Sequence, residues 1–328
     1  MRGGSPTRWF LPDGFMVGMI GAVVLASLFP EFGRSGGPMR ADLVSTAGIG
    51  LVFFLHGIGL STESLKAGLS RWKLHLLVQL FTFGVFPLLW LISDVLVGRW
   101  VPPALRLGFF YLCALPSTVS SSVAMTALAR GNVAAAVFNA TLSGLLGIFL
   151  TPLWVGLVAR TTGETLSLPR AMLDISLLLL APFVAGQVAR PFVGKWFVRF
   201  RKYTAVLDKG VILLLVYSSF SDSVASGLWT NYGVETLAIT FVGALAILVT
   251  VLLLTRLSAR FFGFGKEDEI VAVFCGSKKT LVSGVPMARL LFGPDANLGL
   301  IVLPIMFYHQ LQLALCTVIA GRYARRRQ

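Results

Sequence analysis

Two adjacent lysines, Lys278 and Lys279, stand inside an apolar run that reads Phe274-Cys-Gly-Ser-Lys-Lys-Thr-Leu-Val-Ser-Gly-Val-Pro-Met287. An ammonium in hydrocarbon costs at least ~2.5 kcal/mol even on the mildest insertion scale. Gly276 and Ser277 precede the pair, and Gly284 and Pro286 follow it. That is the composition of a helix broken at bilayer depth, which is tolerated only where it lines a cavity or is buried in protein. A charge at such a break does the chemistry of ion handling and transport rather than of bond making. The bland alternative is a lysine that snorkels to an interface. It needs the segment to begin near Lys278, which leaves Ile270-Val-Ala-Val-Phe-Cys275 as an apolar loop. Of two neighbouring lysines, one at most faces a given cavity, and the other can cap the carbonyl end of the first half-helix.

A second interrupted run reads Tyr111-Leu-Cys-Ala-Leu-Pro-Ser-Thr-Val-Ser-Ser-Ser-Val-Ala-Met-Thr126. Pro116 has no amide hydrogen to donate and disfavours helix at Leu115. The hydroxyls of Ser117, Thr118, Ser120, Ser121 and Ser122 follow it. They can satisfy freed carbonyls of a merely kinked helix, or face a cation or substrate beside half-helix ends that carry about half a charge. A broken partner elsewhere in the chain favours the second reading.

The elements that hold these runs are membrane spans. The chain has 328 residues, of which 56% are hydrophobic and 13% charged. Soluble domains carry about 25% charged residues, so a polytopic helical membrane protein is expected, without room for a separate soluble domain. Apolar runs near the ~20 residues that cross a bilayer give ten spans: 14–29, 43–60, 73–97, 105–128, 133–158, 170–190, 204–221, 235–257, 268–291 and 297–321. The first continues into Leu28-Phe29-Pro30 and reads as an uncleaved span. Alternate connections are basic: Lys66, Arg71 and Lys73; Arg130; Arg190 to Lys202; Arg256, Arg260 and Lys266; and the tail Arg322 to Arg327. By the positive-inside rule both termini are cytoplasmic, in the inner membrane if the protein is bacterial. The same rule accounts for the net charge of +14, so nucleic acid is not an expected partner. Cys113, Cys275 and Cys316 all lie in apolar runs and read as core residues. There is no zinc spacing, P-loop or dinucleotide fingerprint, no paired carboxylates for acid–base work and no cofactor signature. An enzyme is therefore not expected.

Three matches at a near-constant offset point to an internal repeat. Leu60–Leu69 resembles Phe220–Leu228, with Gly68 and Gly227 159 residues apart. Cys113 and Cys275 are 162 apart, and Asn132 and Asn297 are 165 apart. Five spans per half is odd, so the halves 1–160 and 161–328 must insert with opposite orientation, as in many secondary transporters.

At these residues the chain resembles the bile acid:sodium symporter family, solute carrier family 10 in eukaryotes. Met125-Thr-Ala-Leu-Ala-Arg-Gly-Asn-Val-Ala134 is similar to that family's element after its broken fourth helix, and Ser283-Gly284 to the matching element of the second repeat. The resemblance implies an all-α fold with a panel of helices 1, 2, 6 and 7 against a core of helices 3–5 and 8–10. Helices 4 and 9 would cross in the core, and an organic anion would move between panel and core by alternating access. It also exposes departures. The sodium-ligand positions keep Ser122, but Val123 replaces an asparagine. Ala136 and Ala140 replace hydroxyls, with Asn139 and Thr141 nearby. Ser277 stands for a glutamate and Leu281 for a glutamine. Gln79 matches a further family glutamine. The ninth helix with its double lysine resembles that of the branch near the vertebrate member 7, where calcium homeostasis is implicated; the alternative function that this resemblance implies is a non-transporting membrane regulator of calcium homeostasis. A lysine ammonium is expected to occupy the place of a sodium ion. A fixed charge would make transport sodium-independent, a titrating one would couple it to protons, and either would present positive charge to the anion.

The expected site comprises Ser117, Thr118, Ser121, Ser122, Asn139, Ser277, Lys278, Lys279 and Thr280, with Gln79, Tyr308 and Gln312 around it. Helical spacing puts Tyr308 and Gln312 on one face, beside His309 and Gln310. His56 and His75 read as packing or interface residues, Asp174 and Asp208 as structural, and Arg130 and Asn132 as turn formers. Sodium is the one ion that the resemblance brings. The expected partners are the anion and the lipid bilayer, and the chain is expected to act as a monomer or weak homodimer.

Overall fold

Where lipid excludes water, each backbone N–H and C=O must be satisfied within the chain, and a helix does this inside one segment. The computed structural model describes residues 14–59, 71–161, 168–225, 233–293 and 297–325, and among them the regular structure is helical, with no strand. Five of the described helices are long and apolar enough to cross a membrane: Trp72–Leu96, Val133–Val158, Met172–Gly194, Val234–Phe261 and Leu298–Ala324. Shorter apolar helices include Val17–Leu28, Leu43–Gly59 and Pro103–Ala114. The eighth span shows what surrounds them. Ala244, Leu248 and Val251 are buried, whereas Val242, Val249 and Leu253 are exposed, so the outward face is as apolar as the inward one.

Spans one and two are Gly14–Leu28 and Ala41–Gly59, with a helical turn at Pro30–Gly33 between them. Span three is Trp72–Leu80, a π-helical turn at Phe81–Val85, and Phe86–Val97. Spans four and nine, each read from the sequence as a broken helix, are interrupted. Pro103–Ala114 and Ser120–Leu128 flank a non-helical stretch around Pro116, and Lys266–Gly276 and Gly284–Phe292 flank Ser277–Ser283. Span five extends to Thr161, span eight is Val234–Phe261 and span ten is Leu298–Ala324.

The sixth and seventh spans correct the sequence reading, which leaves a loop between them. Helical structure runs unbroken over Ala181–Ala225, through Pro191 and the basic stretch. The chain nevertheless reverses there. A Cβ on Gly50 would lie 3.9 Å from Pro182, and one on Gly48 2.7 Å from Val211. In a straight helix those two partners would be ~43 Å apart at 1.5 Å per residue. Gly48 and Gly50 are two residues apart, so the partners must descend and return along span two. Glycine makes this packing close: Gly57 and Gly186 put Cα against Cα, 3.1 Å from where either Cβ would stand.

Polar groups tie the helix ends together at two faces. On one, Asp268 meets Arg71 at 3.5 Å and receives a 3.1 Å bond from Asn132. Beside it, buried Glu269 binds Lys266 at 2.7 Å, Arg260 at 3.5 Å and the Tyr323 hydroxyl at 2.7 Å. This face gathers basic ends of spans eight and ten and the connections before spans three and five. On the other, Tyr217 donates to Phe29 O at 2.9 Å, and Arg106 holds Asp94 at 2.6 Å. The repeat match at Leu60–Leu69, with Lys66 and Gly68, and Gly227 in its partner lie outside the described residues, as do Arg326 and Arg327.

Candidate functional site

The two interruptions meet. Thr280 donates its backbone N–H to Pro116 O at 3.0 Å, so the unwound peptides pair as they cross. Small residues allow the approach. A Cβ on Gly284 would lie 2.8 Å from Leu115 Cδ1, and one on Gly147 2.6 Å from Pro116 Cγ.

Each half-helix that ends at the crossing leaves carbonyls without an intrahelical partner, and each segment takes two of the other's. Ser117 Oγ donates to Cys275 O at 2.7 Å, and Ser122 Oγ to Phe274 O at 3.2 Å. In return, Lys279 Nζ donates to Cys113 O at 2.7 Å and Leu115 O at 2.6 Å. Its third bond goes to Thr82 O at 2.7 Å, and the Phe86 ring lies 4.1 Å away. An ammonium has three N–H donors, and all three are used. Thr82 belongs to the π-helical turn of span three, where the ladder shifts register and a carbonyl is freed. Pro87, with no N–H, frees Phe83 O in the same way, and Trp154 Nε1 takes it at 2.8 Å.

Lys278 turns the other way. Its ammonium donates to Ser121 O at 2.9 Å and stands 5.9 Å from the Phe274 ring. Thr118 Oγ1 bonds the hydroxyls of Ser121 and Ser122, both at 2.8 Å. Span ten clasps the ninth break: Gln312 accepts Lys279 N–H and donates to Lys279 O, each at 2.9 Å, and the Tyr308 hydroxyl donates to Ser277 O at 2.6 Å. Ser277 Oγ bonds Val273 O in its own helix. Gln79 and Asn139 lie to one side, Gln79 Nε2 donating to Asn139 O at 3.2 Å and Asn139 Nδ2 to Ala135 O at 3.1 Å. Sequence reasoning missed Thr82, Ser143, which accepts Ser117 N–H at 2.9 Å, and Thr151, which caps Ala114 O at 2.8 Å. Pro87 was the available signal only that carbonyls near this turn lose a partner.

A crevice runs beside the crossing. Its two lobes, about 440 and 330 Å³, share Phe53, His56, Ser120 and Leu179, so they are one space. One wall is spans two, six and seven; the other is spans four, five, nine and ten. Both lobes are lined mainly by apolar groups; the larger has Ile148, Phe183 and Phe197 beside His56 and Thr141, and the smaller carries Ser121, Thr280, His309 and Lys209. Two expectations change here. His56, read as a packing or interface residue, lines the crevice. Lys278 and Lys279 have no exposed surface, so neither presents its ammonium to a molecule in the crevice by contact. Main-chain carbonyls hold Lys279 away from it, and the exposed basic group at the crevice is Lys209.

Residues 13–325 match the SBF-like CPA transporter family. The chain is 49% identical over 318 residues to the uncharacterized protein PA2026 of Pseudomonas aeruginosa, covering 97% of this chain and 95% of that one. It is 46% identical over 317 residues to the putative symporter YfeH of Escherichia coli, covering 95% and 93%. It is 31% identical over 317 residues to sodium/bile acid cotransporter 7 of Rattus norvegicus, covering 94% and 91%.

Proposed function

Because this chain belongs to the SBF-like CPA transporter family, and is thus an integral membrane transporter rather than an enzyme, we propose that it carries an organic anion by alternating access without a sodium ion. Ten spans in two inverted repeats form a panel of spans one, two, six and seven and a core of the remainder. The basic ends and both termini face the cytoplasm.

The observation that carries this reading is the Lys279 ammonium, bonded to three main-chain carbonyls at 2.6–2.7 Å. A helix C-terminus is where a broken transporter helix holds a coupling cation. Here the chain brings its own monovalent cation to that place. The repeat reading draws support from the same bonds. The 162-residue offset of Cys113 and Cys275 maps Ser117 onto Lys279, and each donates to the carbonyl of the other half's cysteine.

The substrate reading rests on the crevice. Its combined size falls in the range of small-molecule sites, ~300–1,000 Å³. It offers Lys209, two histidines and several hydroxyls beside a mainly apolar lining, which suits an amphipathic anion. The hydroxyls orient its charged end, Lys209 supplies the opposite charge, and the apolar lining takes its body.

The test is uptake into proteoliposomes with sodium and proton gradients imposed separately, over a panel of organic anions. Uptake of one anion unchanged when sodium is replaced by choline is the expected result. Uptake that requires sodium, and persists when Lys278 and Lys279 are both changed to alanine, overturns it. Absence of uptake across the panel, together with altered calcium entry in cells that express the protein, favours the calcium-regulator alternative.

A further inference from the structure

Among the described residues an ion pair spans the seam between the two walls of the crevice, apart from the crossing. Arg289, in the second half of span nine, places Nη2 3.9 Å from Asp222 Oδ2 near the end of span seven. It also reaches Ser219 Oγ at 3.3 Å. Asp222 is fixed from its own side: Ser35 donates its backbone N–H to Oδ1 at 2.6 Å and its hydroxyl to Oδ2 at 2.9 Å. The carboxylate is thus built into the wall of spans one and seven, and the guanidinium arrives from the opposite wall.

The position of this pair relates it to the crevice. Met287 and Ile212 line the crevice from the two sides. Arg289 lies two residues beyond the first, and Asp222 ten beyond the second, ~15 Å of helix. Both stand toward the face that holds Ser35 and Phe29, remote from the basic ends. In the other direction the crevice continues to Gly59 and Phe197, and Val119 and Ser120 at the break are exposed. One face of the seam is bridged by charge while the crevice extends toward the other.

We propose that Arg289 and Asp222 form the latch of a gate on the face remote from the basic ends, made when that face is shut and broken when the crevice opens there. The proposal rests on the two-wall transport reading. The geometry suits a contact that must open. On the same face Arg106 grips Asp94 through two bonds, 2.7 and 2.6 Å, and joins spans three and four within one wall. The Arg289–Asp222 contact is long, 3.9 Å, and its side chains are 18% and 20% exposed. Water reaches both partners, so separating them strands no bare buried charge, the circumstance that makes deeply buried pairs costly to break. Ser35 keeps the carboxylate aimed at the seam, ready to close again.

The experiment uses the full chain in oriented membrane vesicles. Val282→Cys places a thiol in the crevice, since Val282 lines it, and the buried Cys113, Cys275 and Cys316 set the background. A membrane-impermeant maleimide is applied to each face in turn. Labelling from the Ser35 face is expected to rise several-fold when Asp222→Asn or Arg289→Gln is added. It is expected to fall back when Asp222→Arg and Arg289→Asp are combined. Labelling unchanged by either neutralisation overturns the latch. A disulfide between Asp222→Cys and Arg289→Cys gives the second readout: closing it must suppress labelling from that face, and unaltered labelling with the bond formed also overturns the proposal. Labelling needs no substrate. Indifferent labelling with anion uptake therefore sinks the latch alone, whereas gated labelling without uptake of any anion sinks the transport reading and leaves the latch standing.

Discussion

Lys279 is where the chemistry is most constrained. Three carbonyls converge on its ammonium, and removing it leaves them buried without partners. Each orphaned buried acceptor costs about 1–3 kcal/mol, so Lys279→Ala is expected to lose at least ~3 kcal/mol of stability. The cage it leaves is a ring of oxygens of the sort that binds a monovalent cation. Sodium chloride, compared with choline chloride, is expected to raise the melting temperature of Lys279→Ala in detergent and to leave the parent unmoved. Equal responses of the two proteins would count against the ammonium standing in a cation's place. Lys209 makes a different prediction because it is exposed at the crevice. Lys209→Gln is expected to raise KM for an anionic substrate several-fold with little change in kcat, and Lys209→Arg to recover most of it. An unchanged KM in Lys209→Gln would remove it from the site.

At the scale of the element, spans four and nine are each incomplete alone and become satisfied only by crossing. Serines of span four close the carbonyl end of span nine, and the lysine of span nine closes that of span four. The closeness of the crossing depends on Gly284, where an added side chain meets Leu115 at once. Gly284→Leu is expected to destabilise by about 1–3 kcal/mol, the usual cost of overpacking, and to abolish uptake because the two breaks no longer register. Ser117→Ala is expected to cost a similar amount, about 1–3 kcal/mol for the stranded Cys275 carbonyl. Melting curves of the two variants beside an uptake assay check both; a Gly284→Leu protein with normal uptake would show that close crossing is dispensable.

For the whole molecule, sidedness decides how the crevice is used. The polar clusters assign Arg71, Asn132, Glu269 and Tyr323 to one face and Phe29, Ser35, Asp222 and Arg289 to the other. Reporter tags at the two termini are expected to sit together on the cytoplasmic side, and a thiol introduced at Ser35 to react only from outside. Tags on opposite sides would refute the ten-span arrangement. The reversal of spans six and seven matters here, because it returns the second half of the wall to pack along span two.

Much of this was legible in the residues themselves. Apolar runs fixed the helical class, Pro116 and the pair Gly276 and Gly284 marked both breaks, and the recurrence of basic connections indicated the faces. The hydroxyls at 117–122 and the two lysines marked the crossing because polar groups at bilayer depth are costly and so conspicuous. The partners of Lys279 were not legible, since they are carbonyls of Thr82, Cys113 and Leu115, and every residue carries a carbonyl. Which of these lose their helical partner, and which meet across a gap of about 165 residues in sequence, depends on how a π-turn and a proline break are brought together. Packing alone settled that, and with it the fact that the lysine charge faces the backbone and not the crevice.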